Sequence, residues 1–145
     1  MSEELLSRSF TLHGRDFDKG GETSTEIKTL LKKLEIDPQV IRRAVVVSFE
    51  AEMNVVMYAK EATLTFVLTD DYISIEVADR GPGIPDTKLA MEEGWSTATD
   101  EMREMGFGFG MGLPNIKRHS DFFDLHTEVG VGTTVTSRIM LDGRG

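Results

Sequence analysis

Stretches of helical and strand periodicity follow one another along the chain, and their order predicts an architecture. Arg8 to His13 alternates weakly and reads as a short first strand. Gly20-Gly21 interrupts the pattern. Ile27, Leu30, Leu31 and Leu34 then lie on one apolar stripe of a helix, with Thr23 and Ser24 as candidate caps. Asp37-Pro38, a cap followed by proline in the first turn, starts a second helix. The segment behind it is rich in Val, which favours a strand by propensity. Ile41, Ala44, Val45, Ser48, Ala51 (or Glu52) and Val55 nevertheless keep helical spacing, over a length that strands rarely reach.

Two β-rich runs, Ala62 to Thr69 and Tyr72 to Asp79, meet at Asp70-Asp71 and read as a hairpin. Thr87 to Glu93 has helical character, Gly94 to Met105 is polar and irregular, and Pro114 to Ser120 reads as a helix. Phe122 to Glu128 and Thr133 to Leu141 close the chain as a second hairpin around Gly130-Val131-Gly132. Grouped helices between hairpins predict an α+β fold: a two-layer sandwich of a mixed β-sheet with helices covering one face. Neither a repeat nor a linker divides residues 1–145, so one domain is expected.

Composition narrows the function. The chain carries 25 acidic and 16 basic residues, a net charge of −9, and no Cys. Disulfides and thiolate metal sites are excluded. No basic cluster exceeds a pair, so a general nucleic-acid binder is not expected. Any bound polyanion must be held locally, by backbone amides, a helix terminus or a metal. No apolar run is long enough for a membrane span, and the acidic start M-S-E-E-L-L-S-R lacks an apolar signal core. A cytoplasmic location is the expectation.

Three stretches carry candidate chemistry. Asp79 to Asp86, D-R-G-P-G-I-P-D, places a carboxylate at a strand end before Gly81 and Gly83. Alone it is an ordinary turn-rich loop; with a ligand, the carboxylate could accept from an amine while a flat base lies on bare backbone. Glu50 and Asn54 are one helical turn apart. They could be a solvated face, or a general base beside an amide oxygen suited to Mg²⁺. Glu52 points elsewhere and reads as a surface charge. Gly106 to Gly112, G-F-G-F-G-M-G, runs into L-P-N-I-K-R, a glycine-rich backbone entering a helix where phosphates could approach, with Lys117 and Arg118 at hand. The spacing fits neither a P-loop nor a dinucleotide fingerprint, and no H-R-D or D-F-G occurs. His13, His119 and His126 lack ligand spacing and read as structural or surface residues.

Taken in order, E-A-E-M-N (Glu50 to Asn54), D-R-G-P-G (Asp79 to Gly83), G-F-G-M-G (Gly108 to Gly112) and G-V-G-T-T (Gly130 to Thr134) resemble the N, G1, G2 and G3 boxes of the GHKL ATPase superfamily. That group shares the Bergerat nucleotide-binding fold. The resemblance spans roughly residues 35–141. It is nearest to the bacterial anti-sigma-factor and RsbT-like switch serine/threonine protein kinases, through E-G-W-S-T, G-M-G-L-P-N-I-K-R and G-V-G-T-T-V-T.

The resemblance implies ATP and Mg²⁺ as cofactors. Asp79 would bind the adenine amine, with Thr134 helping through a water. Gly81 and Gly83 would shape the base pocket, and Asn54 would hold the metal. Gly108, Gly110 and Gly112 would wrap the phosphates, and Glu50 would be the base for a protein hydroxyl. It implies a STAS-domain antagonist as substrate, or else a nucleotide-gated module that holds a sigma factor or activates a PP2C-type phosphatase, and it leaves room for a homodimer. One departure stands out. Anti-sigma members often carry an Arg just before the last lid glycines, whereas this chain has Phe107, Gly108 and Phe109, leaving Arg103 or Lys117 to take that place.

Overall fold

The computed structural model describes residues 3–84, 91 and 112–141. Strand β1 (Glu4–His13) is followed by helices α1 (Glu22–Lys33) and α2 (Pro38–Tyr58), then by strands β2 (Glu61–Thr69) and β3 (Tyr72–Arg80). Helix α3 (Gly112–Arg118) and strands β4 (Phe122–Glu128) and β5 (Gly132–Met140) complete the described elements. The expected helix at Thr87 to Glu93, the irregular stretch to Met105, and Gly108 and Gly110 lie outside the described residues, apart from Met91.

The five strands form one sheet in the order β1-β2-β3-β5-β4. The α+β expectation holds, but each of the four pairings is antiparallel, where a mixed sheet was expected. The topology explains the difference. Both hairpins contribute adjacent antiparallel strands, and β1 and β5 dock beside β2 and β3 in opposite sense to their neighbours. β1 also begins earlier than its weak alternation suggested, because pairing with β2 continues out to Glu4.

One face of the sheet is buried. Leu64 and Phe66 of β2, Ile73, Ile75 and Val77 of β3, and Val135 and Ile139 of β5 all point into it. Helix α2 covers this face and touches β1, β2, β3 and β5. It starts where Asp37 accepts the Gln39 amide at 2.8 Å with Pro38 at the first helical position. Val40, Ile41, Ala44, Val47, Ala51 and Val55 are buried along it. Burial at helical spacing thus overrides the β propensity of the Val run.

The start of α1 differs from its expected form. Its N-cap is Gly21 in the left-handed region, φ 98°, and Thr23 and Ser24 lie inside the first turn. Their amides donate instead to the Glu52 carboxylate of α2, at 3.2 and 3.3 Å. Glu52 is 2% exposed, so the surface role expected of it is corrected: it is an internal cap that joins the two helices. Burial pushes its carboxyl above the ordinary glutamate value, while the bonds from Thr23, Ser24 and Gly21 pull it back.

Candidate nucleotide site

Asp79 stands near the end of β3 and Thr133 near the start of β5, and the two strands are paired there. The Thr133 amide donates to Asp79 Oδ1 at 3.0 Å, which fixes the direction of the carboxylate. Burial raises the Asp79 carboxyl above the ordinary aspartate value, and this hydrogen bond lowers it again in part. Gly132 passes so close that a Cβ would meet the Asp79 carbonyl oxygen at 2.0 Å. Only glycine admits that approach.

The loop behind Asp79 is stitched to the β4–β5 hairpin. Gly81 donates its amide to Val131 at 3.1 Å, Gly130 to Pro82 at 2.9 Å, and Ile84 to the Thr127 hydroxyl at 2.9 Å. Gly83 has φ 74°, and a Cβ there would come within 2.5 Å of the Glu128 carbonyl oxygen. Both the dihedral and the space therefore require glycine. Residues 79–83 and 130–133, some fifty positions apart, form one backbone platform with a carboxylate at its edge.

The register revises one expected residue. Thr134 pairs with Ala78 and His126, on the open face of the sheet. Thr133 lies on the covered face with Val135 and Ser137, is 8% exposed, and shares a hydroxyl contact of 2.9 Å with Thr127. Side chains alternate between faces in a strand, so Thr133 and not Thr134 shares the Asp79 side.

The second half of the site lies along α2. Arg43, Glu50 and Asn54 occupy one face at helical spacing, and this face meets α3. At the first residue of α3, a Cβ on Gly112 would lie 2.8 Å from Asn54 Oδ1, so Gly112 abuts the asparagine amide directly. Three residues on, Asn115 is near enough to Glu50 to lower its carboxyl. Burial pushes the Glu50 carboxyl above its ordinary value, against the lowering effects of nearby His119 and Asn115. Lys117 is exposed in the last turn of α3.

Arg43 anchors the far end. Its Nε donates to the His119 carbonyl at 3.0 Å and its Nη2 lies 3.1 Å from Asp121 Oδ1, while Asp121 Oδ2 accepts the Met140 amide at 2.7 Å. Helix α3 is thereby pinned to α2 and to β5. Sequence spacing gave no hint of Asn115, His119 or Thr133 as members of the site. Thr133 and Asn115 lie inside stretches that carry the resemblance, but nothing in those stretches marks which of their residues face the site.

The two halves share a common axis. Ala59, just past α2, packs against Gly81, where a Cβ would sit 3.2 Å from the Ala59 Cα. Asn54 is five residues back along α2, about 7.5 Å at 1.5 Å per residue, and Glu50 is about 13.5 Å back. Asp79 at the platform, Asn54 beside Gly112, and Glu50 thus follow one another along the direction of α2.

An amide oxygen is a hard donor that suits Mg²⁺, an ion that takes few protein ligands when phosphates and water complete its octahedron. Asn54, beside Gly112, fits that habit. Among the described residues there is no group of three or more His, Asp or Glu that would hold a metal by itself. Among them, too, no helix is long and apolar enough to cross a membrane.

Comparison with known proteins points the same way. The chain is 34% identical over 90 residues to the serine/threonine-protein kinase RsbT of Bacillus subtilis, a match covering 59% of this chain and 62% of that protein. It is 32% identical over 91 residues to the anti-sigma F factor of Caldanaerobacter subterraneus subsp. tengcongensis, covering 59% and 60%. The matched stretch thus spans about three fifths of the length of these curated relatives. Residues 39–143 match the family described as histidine kinase-, DNA gyrase B- and HSP90-like ATPase, and the chain, which carries that family's nucleotide boxes on an α+β frame, belongs to it.

Proposed function

We propose that this protein is an ATP-dependent serine/threonine protein kinase of a bacterial regulatory switch, with a STAS-domain antagonist protein as its substrate. The observation that carries the reading is the order along α2. The Asp79 platform lies at one end, Asn54 is against Gly112 in the middle, and Glu50 is beyond them with its carboxyl raised by burial. The adenine amine donates to Asp79 while the ring lies on the backbone of Gly81 and Gly83. Thr133, rather than Thr134, supports that end of the pocket. Asn54 holds Mg²⁺, which when bound neutralises phosphate charge and orients the triphosphate. Gly108, Gly110 and Gly112 bring backbone amides to the phosphates, with Lys117 at the exposed last turn of α3 able to assist.

Glu50 takes the proton from a Ser or Thr hydroxyl as that oxygen bonds to the γ-phosphorus. The bond from the γ-phosphorus to the β–γ bridging oxygen breaks, and ADP departs with that oxygen. A carboxyl lifted above its ordinary range is a better proton acceptor near neutrality than an exposed one. The relatives' names, a serine/threonine kinase and an anti-sigma factor, support a switch protein of this kind.

A second reading is a nucleotide-gated module that sequesters a sigma factor, or activates a PP2C-type phosphatase, with little catalysis. The name of the second relative and the Phe107-Gly108-Phe109 departure favour it. The deciding experiment is intact-mass detection of phosphate transfer from Mg-ATP to a STAS-domain protein, with Glu50→Gln in parallel and ATP binding measured for both. Transfer by the parent and its loss in the variant, with binding retained, is the expected result. Binding without transfer to any STAS candidate favours the gated module, and absence of ATP binding defeats both readings.

A further inference from the structure

The margin of the sheet away from β4 combines two features that the nucleotide site does not use. Strand β1 lies at the end of the strand order and, among the described residues, pairs only with β2. Its other edge carries backbone N–H and C=O groups outside any ladder. From Leu6 to His13 the pairing with β2 is regular, and no proline, glycine or bulge interrupts it. Beside that edge, β1 and α1 enclose a groove of about 300 Å³. Phe10 and Leu30 form its base, half-buried and packed on the core. Thr25 and Thr29 line it from α1, their hydroxyls donating to the Gly21 and Thr25 carbonyls. Arg8 and Lys33 are exposed at its rim, with the single carboxylate of Glu26 beside them. Among the described residues neither cation is ion-paired. The rim is thus locally basic on a chain of net charge −9.

Strand geometry decides what fills such a groove. Leu12 of β1 is buried in the core, and Phe10 and Arg8 share its face by alternation. A strand added to the free edge runs about 4.8 Å away and sets alternate side chains opposite Phe10 and Arg8. An apolar residue opposite Phe10 fills the groove, and an acidic one opposite Arg8 meets the rim. We propose that the β1 edge and the β1–α1 groove are a docking site for an extended segment of a partner protein. The segment adds as a further strand, and its groove-facing positions, every second residue, are apolar and acidic. Main-chain hydrogen bonds supply affinity and the alternate side chains supply selectivity. A second copy of this chain fits poorly: its own β1 would bring Arg8 to the basic rim, and it carries no acid between Leu6 and Leu12. Strand β2 separates β1 from β3, the strand of Asp79, so docking needs no nucleotide.

The probe is a blocked heptapeptide of Thr with Glu, Val and Ile at its second, fourth and sixth positions, titrated into the ¹⁵N-labelled full chain without nucleotide. Amide shifts are expected along β1 and α1. Arg8→Glu should weaken binding on the order of tenfold, and should strengthen by a similar factor the binding of a peptide with Lys in place of Glu. Two further peptides carry N-methyl groups on alternate amides, one set each. Methylation of the set that faces β1 should abolish binding, and methylation of the other set should be tolerated.

The inference falls if the probe leaves β1 and α1 unmoved at millimolar concentration, if the two methylated peptides behave alike, or if Arg8→Glu treats both charges alike. It falls as well if sedimentation shows the unliganded chain to be a dimer with its β1 amides protected from exchange, since a second copy then holds the edge. None of these outcomes depends on phosphate transfer.

Discussion

Thr133 and Thr134 are neighbours with the same side chain, and the parity of β5 gives them different surroundings. Thr133 faces the helices, with its amide on Asp79 and its hydroxyl on Thr127, while Thr134 faces the open side of the sheet beside Ala78. Thr133→Val should therefore weaken ATP binding on the order of tenfold, about 1.4 kcal/mol, since it strips a hydroxyl from a buried polar network at the base platform. Thr134→Val should leave affinity within about twofold. Calorimetric titration of both variants with the same nucleotide checks the pair, and equal losses would contradict the register argument. The motif G-V-G-T-T was legible in the sequence. Which threonine mattered was not, because a one-residue shift of register exchanges their faces without altering the motif.

At the scale of elements, α1 and α2 are joined by a carboxylate as well as by apolar packing. Glu52 accepts two amides from the first turn of α1, a task that normally falls to a residue within the capped helix's own N-terminal segment. Glu52→Ala should lower the free energy of unfolding by about 2–3 kcal/mol, because two amides beneath α2 lose their acceptor. Glu52→Gln, which keeps an acceptor oxygen, should lose less. Urea unfolding of the two variants measures the difference, and an unchanged midpoint in Glu52→Ala would refute the internal cap. The helices themselves were readable from Asp37-Pro38 and from the apolar stripes. The cap was not, since Glu52 answers to residues 28 and 29 positions away, and its own neighbours in sequence suggest only an acidic stretch.

For the molecule as a whole, three carboxyls (Glu50, Glu52 and Asp79) have folded-state pKa values raised chiefly by burial. The folded chain then holds these protons more tightly than the unfolded chain. Their contribution to stability is fully present below the unfolded values, about 4.5 for Glu and 3.8 for Asp, and is lost as pH rises through the folded values. Glu50→Gln removes one such buried charge without touching the Glu52 cap or the Asp79 platform. Its denaturation midpoint should exceed that of the parent near neutral pH, and the advantage should fade as pH approaches 4.5. Paired melts across pH read this directly; an advantage that grows on acidification would reverse the sign. Losing activity while gaining stability is the behaviour expected of a group kept for its chemistry.

Local periodicity, capping signals and glycine spacing determined by themselves the order of helices and strands, the α+β class and the positions of the four boxes. These features depend on residues a few positions apart, where a sequence pattern and its physical cause coincide. The tertiary structure alone decided what those residues face. It made the sheet antiparallel throughout its pairings, turned Thr133 rather than Thr134 toward Asp79, buried Glu52 beneath α1, and brought Asn115 near Glu50. Each depends on partners brought together across 28 to 65 positions or on the register between strands. A hydrogen bond over that distance has no period in the sequence to announce it, so the polar geometry of the site emerges only when the sheet and helices pack.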